Sequence, residues 1–274
     1  MFKNTLIVVK GAGDVASGVA WRLFRCGFPL VMTEIASPTV VRRRVAFAEA
    51  VYDGAAMVEG VEARLITQPE QAALVLADNQ IPVIVDPAAE LVQVLQPQIV
   101  VDAIMAKRNL GTGKKDANLV VGLGPGFVAG RDCHAVIETK RGPALGRAIW
   151  AGAAEPDTAV PGSVNGYTVE RVFRSPATGL IKTLCDIGDT LRQGDIAAQI
   201  EKDKARVPVL APFDGVIRGL LRNDSPVFSG MKIGDIDPRL DSDLYYRISD
   251  KALAIAGGVL EAILTAKSII KEVE

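Results

Sequence analysis

Cys133 and His134 are adjacent, and with the glycine turn Lys10–Leu23 (KGAGDVASGVAWRL) they hold most of the chemistry this sequence can offer. Imidazole exchanges a proton near neutral pH, and a thiol becomes a soft nucleophile once its pKa is depressed. Cys133 and His134 are therefore the candidate catalytic residues. Strand neighbours point to opposite faces, so the two do not form a nucleophile and base pair with each other, and His134 suits a structural or ligand-binding role equally well. Glu138 and Lys140 share its parity and extend a polar face.

The glycine turn predicts a nucleotide site. Gly11 and Gly13 follow the apolar run TLIVV and precede a helical pattern. Gly11 makes the tight turn, Gly13 lets the backbone approach a pyrophosphate at the helix N-terminus, and Ala16 takes the third, small position. Glu34 ends the next apolar run, 23 residues after Gly11, where a carboxylate can accept from ribose hydroxyls. Glycines at such a turn also serve packing alone. Asp14 would repel a pyrophosphate unless a metal or a basic side chain intervenes. Arg43, from the run Arg42–Arg44, is a candidate for phosphate oxygens, as are Lys107 and Arg108, which precede Gly111, Thr112 and Gly113 in an anion-binding pattern.

Elements able to position these residues are visible in the pattern. The 274 residues are 49% hydrophobic and 23% charged with a net charge of −1, enough for a full core and without a broad pull towards nucleic acid. MFKNTLIVV is too short for a membrane span or signal peptide and serves as the first strand. VEARLIT, PEQAALVLADNQ, IPVIVDP, AAELVQVLQ and PQIVVDAI alternate strand and helix. Their near-continuous apolar strands predict an α/β, Rossmann-like, doubly wound parallel sheet. The segment from Ser37 to Gly54 reads as a helix, and Asp86 and Asp102 fall at strand ends as caps or ligand contacts. LVVGLGPGF breaks at Gly122, Gly124 and Gly126, where the backbone could approach a ligand or turn. Three separated cysteines without a CxxC pair, and a single histidine, predict no metal site, a reducing compartment and a cytoplasmic protein.

The remaining chain repeats. PATGLIK at Pro176 aligns with PFDGVIR at Pro212, and the same offset of 36 residues lays Leu191 on Val227 and Gly194 on Gly230. This predicts a pseudo-symmetric all-β unit similar to the lipoyl and biotinyl carrier fold, the barrel-sandwich hybrid. In that resemblance Lys204, within EKDKARVPVLAPFDG, takes the position of a covalent carrier lysine. Its attachment to a nucleotide fold without lipoate chemistry argues for an unmodified side chain. The polar segment IGDIDPR exceeds what a carrier fold needs. The expected domains are 1–152, a linker over 153–166, the lipoyl-like unit 167–240, and 241–274 ending in a helix. That helix is interrupted at Gly257 and Gly258 and packs on the body or on another subunit.

VKGAGDVASGVAWRL, RRRVAFAEAVYDG, MAKRNLGT, VGLGPGFVAGRDCHAVIETKRG and KIGDIDPR together resemble the YqeB family, accessory proteins of the selenium-dependent molybdenum hydroxylase system. The first domain is more loosely similar to the Rossmann half of the XdhC proteins, which handle molybdenum cofactor. The resemblance implies binding of a molybdopterin dinucleotide or related nucleotide during cofactor maturation, with a molybdenum hydroxylase apoprotein as partner, and it carries over no catalytic residue. An NAD(P)- or FAD-linked oxidoreductase and a non-catalytic assembly scaffold are the rival readings. A homo-oligomer is compatible with all three.

Overall fold

The computed structural model describes residues 2–158, 160, 162–203 and 205–266. They divide into two compact units, the first from Met1–Pro38, Ala46–Thr158 and Ile248–Glu274, the second from Thr39–Val45 and Ala159–Arg247. The terminal helix thus belongs to the first unit, and a short piece of the amino-terminal half belongs to the second.

In the first unit the strands are β1 (Ile7–Lys10), β2 (Leu30–Glu34), β3 (Ala55–Val58), β4 (Val61–Ile66), β5 (Ile81–Val85), β6 (Ile99–Asp102), β7 (Leu119–Leu123), β8 (Val128–Ala129), β9 (Ala135–Ile137), β10 (Ala148–Ile149) and β11 (Gly152–Ala153). A nine-stranded sheet has the order β10-β9-β7-β6-β1-β2-β5-β4-β3, while β8 and β11 pair separately. The edge strands β3 and β10 run antiparallel to their neighbours, and the strands between them are parallel. IVVK and IVVD are buried along their whole length, as expected of central parallel strands covered on both sides. From β1 the chain steps one way to β2 and β5, then returns to the other side of β1 for β6, β7 and β9. This reversal of strand order lies between β1 and β6.

The helices are α1 (Asp14–Arg25), α2 (Ala50–Asp53), α3 (Ala72–Ala77), α4 (Leu91–Leu95) and α5 (Asp250–Thr265). The expected helix over 37–54 is a correction: only short 3₁₀ turns at Arg43–Val45 and Phe47–Glu49 precede α2, and Gly54 ends it in the left-handed conformation. The β-branched run Thr39-Val40-Val41 favours extended backbone, and Leu220 N–H pairs with the Val41 carbonyl inside the second unit. Strand β3 follows directly on Gly54 and is joined to β4 through Glu59 and Gly60, both at positive φ (42° and 80°). Such a pair suits a tight hairpin.

Ser249 caps α5 by accepting from the Ala252 N–H at 3.1 Å. The expected break at Gly257 and Gly258 does not occur. A Cβ on Gly258 would stand 1.9 Å from the Gly146 carbonyl oxygen. That glycine admits a neighbouring backbone and leaves the helix continuous.

In the second unit, β12 (Val172–Arg174), β13 (Gly179–Thr183), β14 (Thr190–Leu191), β15 (Ile196–Lys202), β16 (Ala205–Leu210), β17 (Gly215–Leu220), β18 (Pro226–Val227) and β19 (Lys232–Asp237) form two four-stranded antiparallel sheets, β12-β19-β17-β14 and β16-β15-β13-β18. The repeat of 36 residues carries β13 onto β17, β14 onto β18 and β15 onto β19. Each half lends its short strand to the other, since β13 pairs β18 and β14 pairs β17. Even the close approaches repeat: a Cβ on Gly179 would meet the Glu201 carbonyl oxygen at 2.2 Å, and one on Gly215 the Asp237 oxygen at 2.6 Å. Ile181, Ile200, Ile217, Ile233 and Ile236 fill the shared core.

Candidate functional site at the carboxyl ends of the central strands

Lys10 and Asp102 end β1 and β6 side by side in register. The chain then turns through Gly11, whose φ is 90° and whose Cβ, if present, would stand 3.1 Å from Ile104 Cα and 3.2 Å from the Ala103 carbonyl oxygen. Conformation and space both require glycine. Helix α1 begins at Asp14 with Gly13 as its cap, so no side chain closes its N-terminus. The positive end of the helix dipole has no side-chain cap and carries Asp14 in its first turn. Ser17 fixes the turn from behind: its hydroxyl donates to the Ala12 carbonyl (3.0 Å) and accepts from the Phe47 N–H (2.7 Å).

Glu34 supports the same turn. One carboxylate oxygen accepts from the Ala12 N–H and the other from the Ile35 N–H, each at 2.8 Å. Each oxygen retains a lone pair for a further donor.

Below the turn a buried polar cluster joins Asp102 and Thr112, both noted in the sequence, to Lys10, to which the sequence assigned no role. Lys10 Nζ donates to Thr112 Oγ1 at 2.6 Å, and that hydroxyl donates to Asp102 Oδ2 at 2.5 Å. Lys10 Nζ stands 3.9 Å from the same carboxylate oxygen. Their exposures are 6%, 3% and 2% for Lys10, Thr112 and Asp102. The available signal was a lysine closing a wholly apolar strand, with an aspartate closing its neighbour.

The loop after β6 is organised inward. Asn109 Oδ1 accepts from the Gly111 and Thr112 N–H groups at 2.9 and 2.8 Å, and Asp116 accepts from the Gly113 N–H at 3.0 Å. The N–H groups expected to meet an anion are thus already engaged within the loop. Lys107 pairs with Asp157, while Arg108 is exposed. Gly126 packs against the Arg108 backbone and Gly122 against the Phe127 ring, so these glycines serve close packing. Asp86 accepts from the Glu90 and Leu91 N–H groups and acts as a cap.

Cys133 and His134 lie elsewhere. His134 exchanges backbone contact with Val120, two residues before Gly122, which is level with Asp102. That sets it back roughly 7 Å along the strand direction from the carboxyl ends. His134 Nδ1 accepts from the Val120 N–H at 2.9 Å, and burial, with Lys114 adding to it, holds the imidazole below its ordinary pKa. Burial pushes the fully enclosed Cys133 thiol up to about 11. At neutral pH only about one part in ten thousand of such a thiol is thiolate. Of the two expected catalytic candidates, Cys133 is therefore a buried thiol of the core, and His134 spends one ring nitrogen on the backbone of β7. Iodoacetamide at about pH 7.5 should alkylate the exposed Cys26 in the folded protein and spare Cys133 and the half-buried Cys185, whose thiol is raised to about 12. Rapid labelling of Cys133, read by peptide mass mapping, would contradict this assignment.

The expected polar face also resolves into structure. Glu138, 3% exposed, accepts from the backbone N–H groups of Thr139 and Lys140 at 2.7 Å each and of Glu155 at 2.8 Å. Lys140 pairs with Glu155 at 2.5 Å.

Arg43 belongs to the second unit, where it donates to the Leu220 carbonyl (2.7 Å) and to Asp186 (2.8 Å); Arg44 shares that carboxylate at 2.6 Å. The guanidinium expected to meet phosphate oxygens is thus engaged within the second unit. The β15–β16 pairing extends to Lys202 and Ala205, with Asp203 at φ 54°. Lys204 lies outside the described residues. Among the described residues no group of three or more His, Cys, Asp and Glu side chains could hold a metal ion, and no helix is long and apolar enough to cross a membrane.

A family model described as biotin-requiring enzyme matches residues 171–236, which is the second unit's pair of sheets. The uncharacterized protein YqeB of Escherichia coli K12 is 50% identical over 261 residues, covering 95% of this chain and 48% of the relative. The chain therefore spans about half the length of the curated relative it matches. Among solved structures, an aspartoacylase family protein of Mesorhizobium loti overlaps 85% of each chain at 10% identity and a TM-score of 0.29. A succinylglutamate desuccinylase/aspartoacylase of Rhodobacter sphaeroides overlaps 88% of this chain and 87% of its own at 13% identity and a TM-score of 0.30. Overlaps this loose carry no argument about fold or chemistry.

Proposed function

We propose that the first unit binds a molybdopterin dinucleotide or a related nucleotide at the Gly11–Asp14 turn, and that the protein is an accessory factor in maturing a selenium-dependent molybdenum hydroxylase. The observation that carries the nucleotide reading is the reversal of strand order at β1, with an uncapped helix starting directly beyond it. The run β5-β2-β1-β6-β7-β9 has the order of a Rossmann sheet, with β4 and β3 added at one edge. In such sheets dinucleotides bind beyond the carboxyl ends at that reversal. The maturation role, with the apoprotein as partner, rests on the motif resemblance set out above.

In this reading the α1 N-terminus at Gly13 and its dipole receive the pyrophosphate, while the Gly11 and Ala12 N–H groups, engaged by Thr33 and Glu34, fix the turn. Glu34 accepts from a ribose hydroxyl with its free lone pairs, and exposed Arg108 meets an outer anionic group. The buried Lys10–Thr112–Asp102 cluster keeps the floor beneath the turn rigid. Cys133 and His134 take no part.

Native mass spectrometry of the protein from a molybdopterin-producing host tests it. The expected spectrum carries a retained mass matching a molybdopterin dinucleotide, lost in Gly13→Asp, where a new carboxylate meets the pyrophosphate, without change in circular dichroism. The same variant should abolish maturation of the hydroxylase. A nicotinamide or flavin mass, or a bare chain throughout, would overturn the cofactor assignment. Residual mass after the ligand is driven off would reveal covalent carriage, mapped first at Lys204.

A further inference from the structure

We infer that α5 supplies Lys251 to the Gly11–Asp14 turn as the counter-charge for a bound phosphate, a role that rests on the nucleotide reading above. Gly18 lies one helical turn after Asp14 on the same face of α1. A Cβ there would stand 2.7 Å from Ala252 Cβ and 3.0 Å from Ile248 Cγ2, so the start of α5 packs on α1 just behind the glycine turn. Arg141 donates to both oxygens of Asp250 at 2.6 and 3.0 Å, tying the first residue of α5 to the loop after Glu138, beyond the carboxyl end of β9. Between these two anchors sits half-buried Lys251.

Its surroundings are those of a ligand cation. Burial holds the ammonium below the ordinary lysine value; Arg141 acts in the same direction, while Asp14, Asp157 and Glu138 oppose it. Those carboxylates have other claims: Glu138 accepts three backbone N–H groups and Asp157 pairs with Lys107. A phosphate arriving at α1 would favour the charged form of the ammonium, and the ammonium would offset the repulsion from Asp14. Lys251 is thus the basic side chain that a glycine turn bearing an aspartate requires. Packing alone gives no reason for a lysine here, since Ala252, Ile255, Ala256 and Val259 supply the buried surface of α5.

Calorimetric titration of the full chain with ADP, GDP, CDP and inorganic pyrophosphate separates the two levels of the proposal. At least one probe should bind the wild type, and Lys251→Met should weaken it by about 10- to 100-fold, the usual worth of a charged hydrogen bond. Affinity should fall as pH rises through the depressed lysine value. The Asp14, Asp157, Glu138 and Asp250 carboxylates and the Arg141 guanidinium do not ordinarily titrate over about pH 7–10. Lys251→Arg should keep the affinity and remove the alkaline loss, a result that purely structural roles would not produce. If the wild type binds and Lys251→Met binds equally, or if the alkaline loss persists in Lys251→Arg, the assignment of Lys251 fails while the nucleotide reading stands. If no probe binds the wild type, both fail. Should Lys251→Met not fold, the Arg variant's pH profile decides.

Discussion

Asp102→Ala is expected to destabilise the first unit by about 3–5 kcal/mol, the cost of leaving a buried charge without its partner. The carboxylate accepts from Thr112 and, beyond it, faces the Lys10 ammonium in a setting where all three side chains are at least nine-tenths buried. Removing it strands a cation and a hydroxyl donor in the centre of the sheet. The loop over Asn109–Thr112 would also lose its anchor. Thermal unfolding followed by circular dichroism should show the first transition lowered by roughly 10 °C, using about 2–4 °C per kcal/mol for a domain of this size. Pairing the change with Lys10→Met should recover much of the loss, because an apolar pair avoids desolvating either charge. A single variant with wild-type stability would mean that the cluster is not the floor described above.

The second large effect lies in the other unit. Asp237 is wholly buried and accepts from Arg239 at 2.9 and 2.7 Å, with the Arg171 guanidinium 3.5 Å away and itself 5% exposed. Asp237→Ala takes the nearest carboxylate from buried Arg171, leaving it its bonds to the Ile236 and Gly162 carbonyls, and should again cost about 3–5 kcal/mol. Burial pushes the Asp237 carboxyl up, but the hydrogen bonds and charge of Arg239, with Arg171 behind them, prevail and hold it below the usual range. A depressed carboxyl contributes stability above its unfolded pKa of about 3.9 and loses it as pH falls through the lower folded value. Asp235, depressed by Lys232 and Arg218 against its own burial, acts in the same window. Urea unfolding of the second unit should therefore be nearly flat from about pH 5 to 7 and weaken steeply below about pH 4. In Asp237→Asn, part of that acid slope should disappear. An unchanged slope would remove Asp237 from the titration.

This second cluster explains why IGDIDPR is polar. Asp235 and Asp237 are buried on β19, Asp237 beside buried Arg171 and Asp235 beside Arg218 and the exposed Lys232, so both aspartates serve the second unit's interior.

Local pattern was enough for the glycine turn, the apolar strands and the internal repeat. Gly11 needs φ 90° whatever surrounds it, continuous apolar runs such as IVVD cannot be left in water, and a repeat of 36 residues implies two like halves. What that pattern could not contain was the partner of each charged side chain. Arg42–Arg44 read as neighbours of Glu34, yet Arg43 and Arg44 meet Asp186, more than a hundred residues on. Cys133 beside His134 looked like chemistry, but burial of the thiol and the backbone bond of the imidazole are properties of the sheet around them. Gly257 and Gly258 looked like a helix break because the backbone of Gly146 was missing from view. Lys10, Asp102 and Thr112 came together only through strand order and the fold of the loop after β6. Sequence by itself determined the conformations and burial that each residue demands locally; charge pairing and pKa depend on distances between remote segments, and only the tertiary structure decided those.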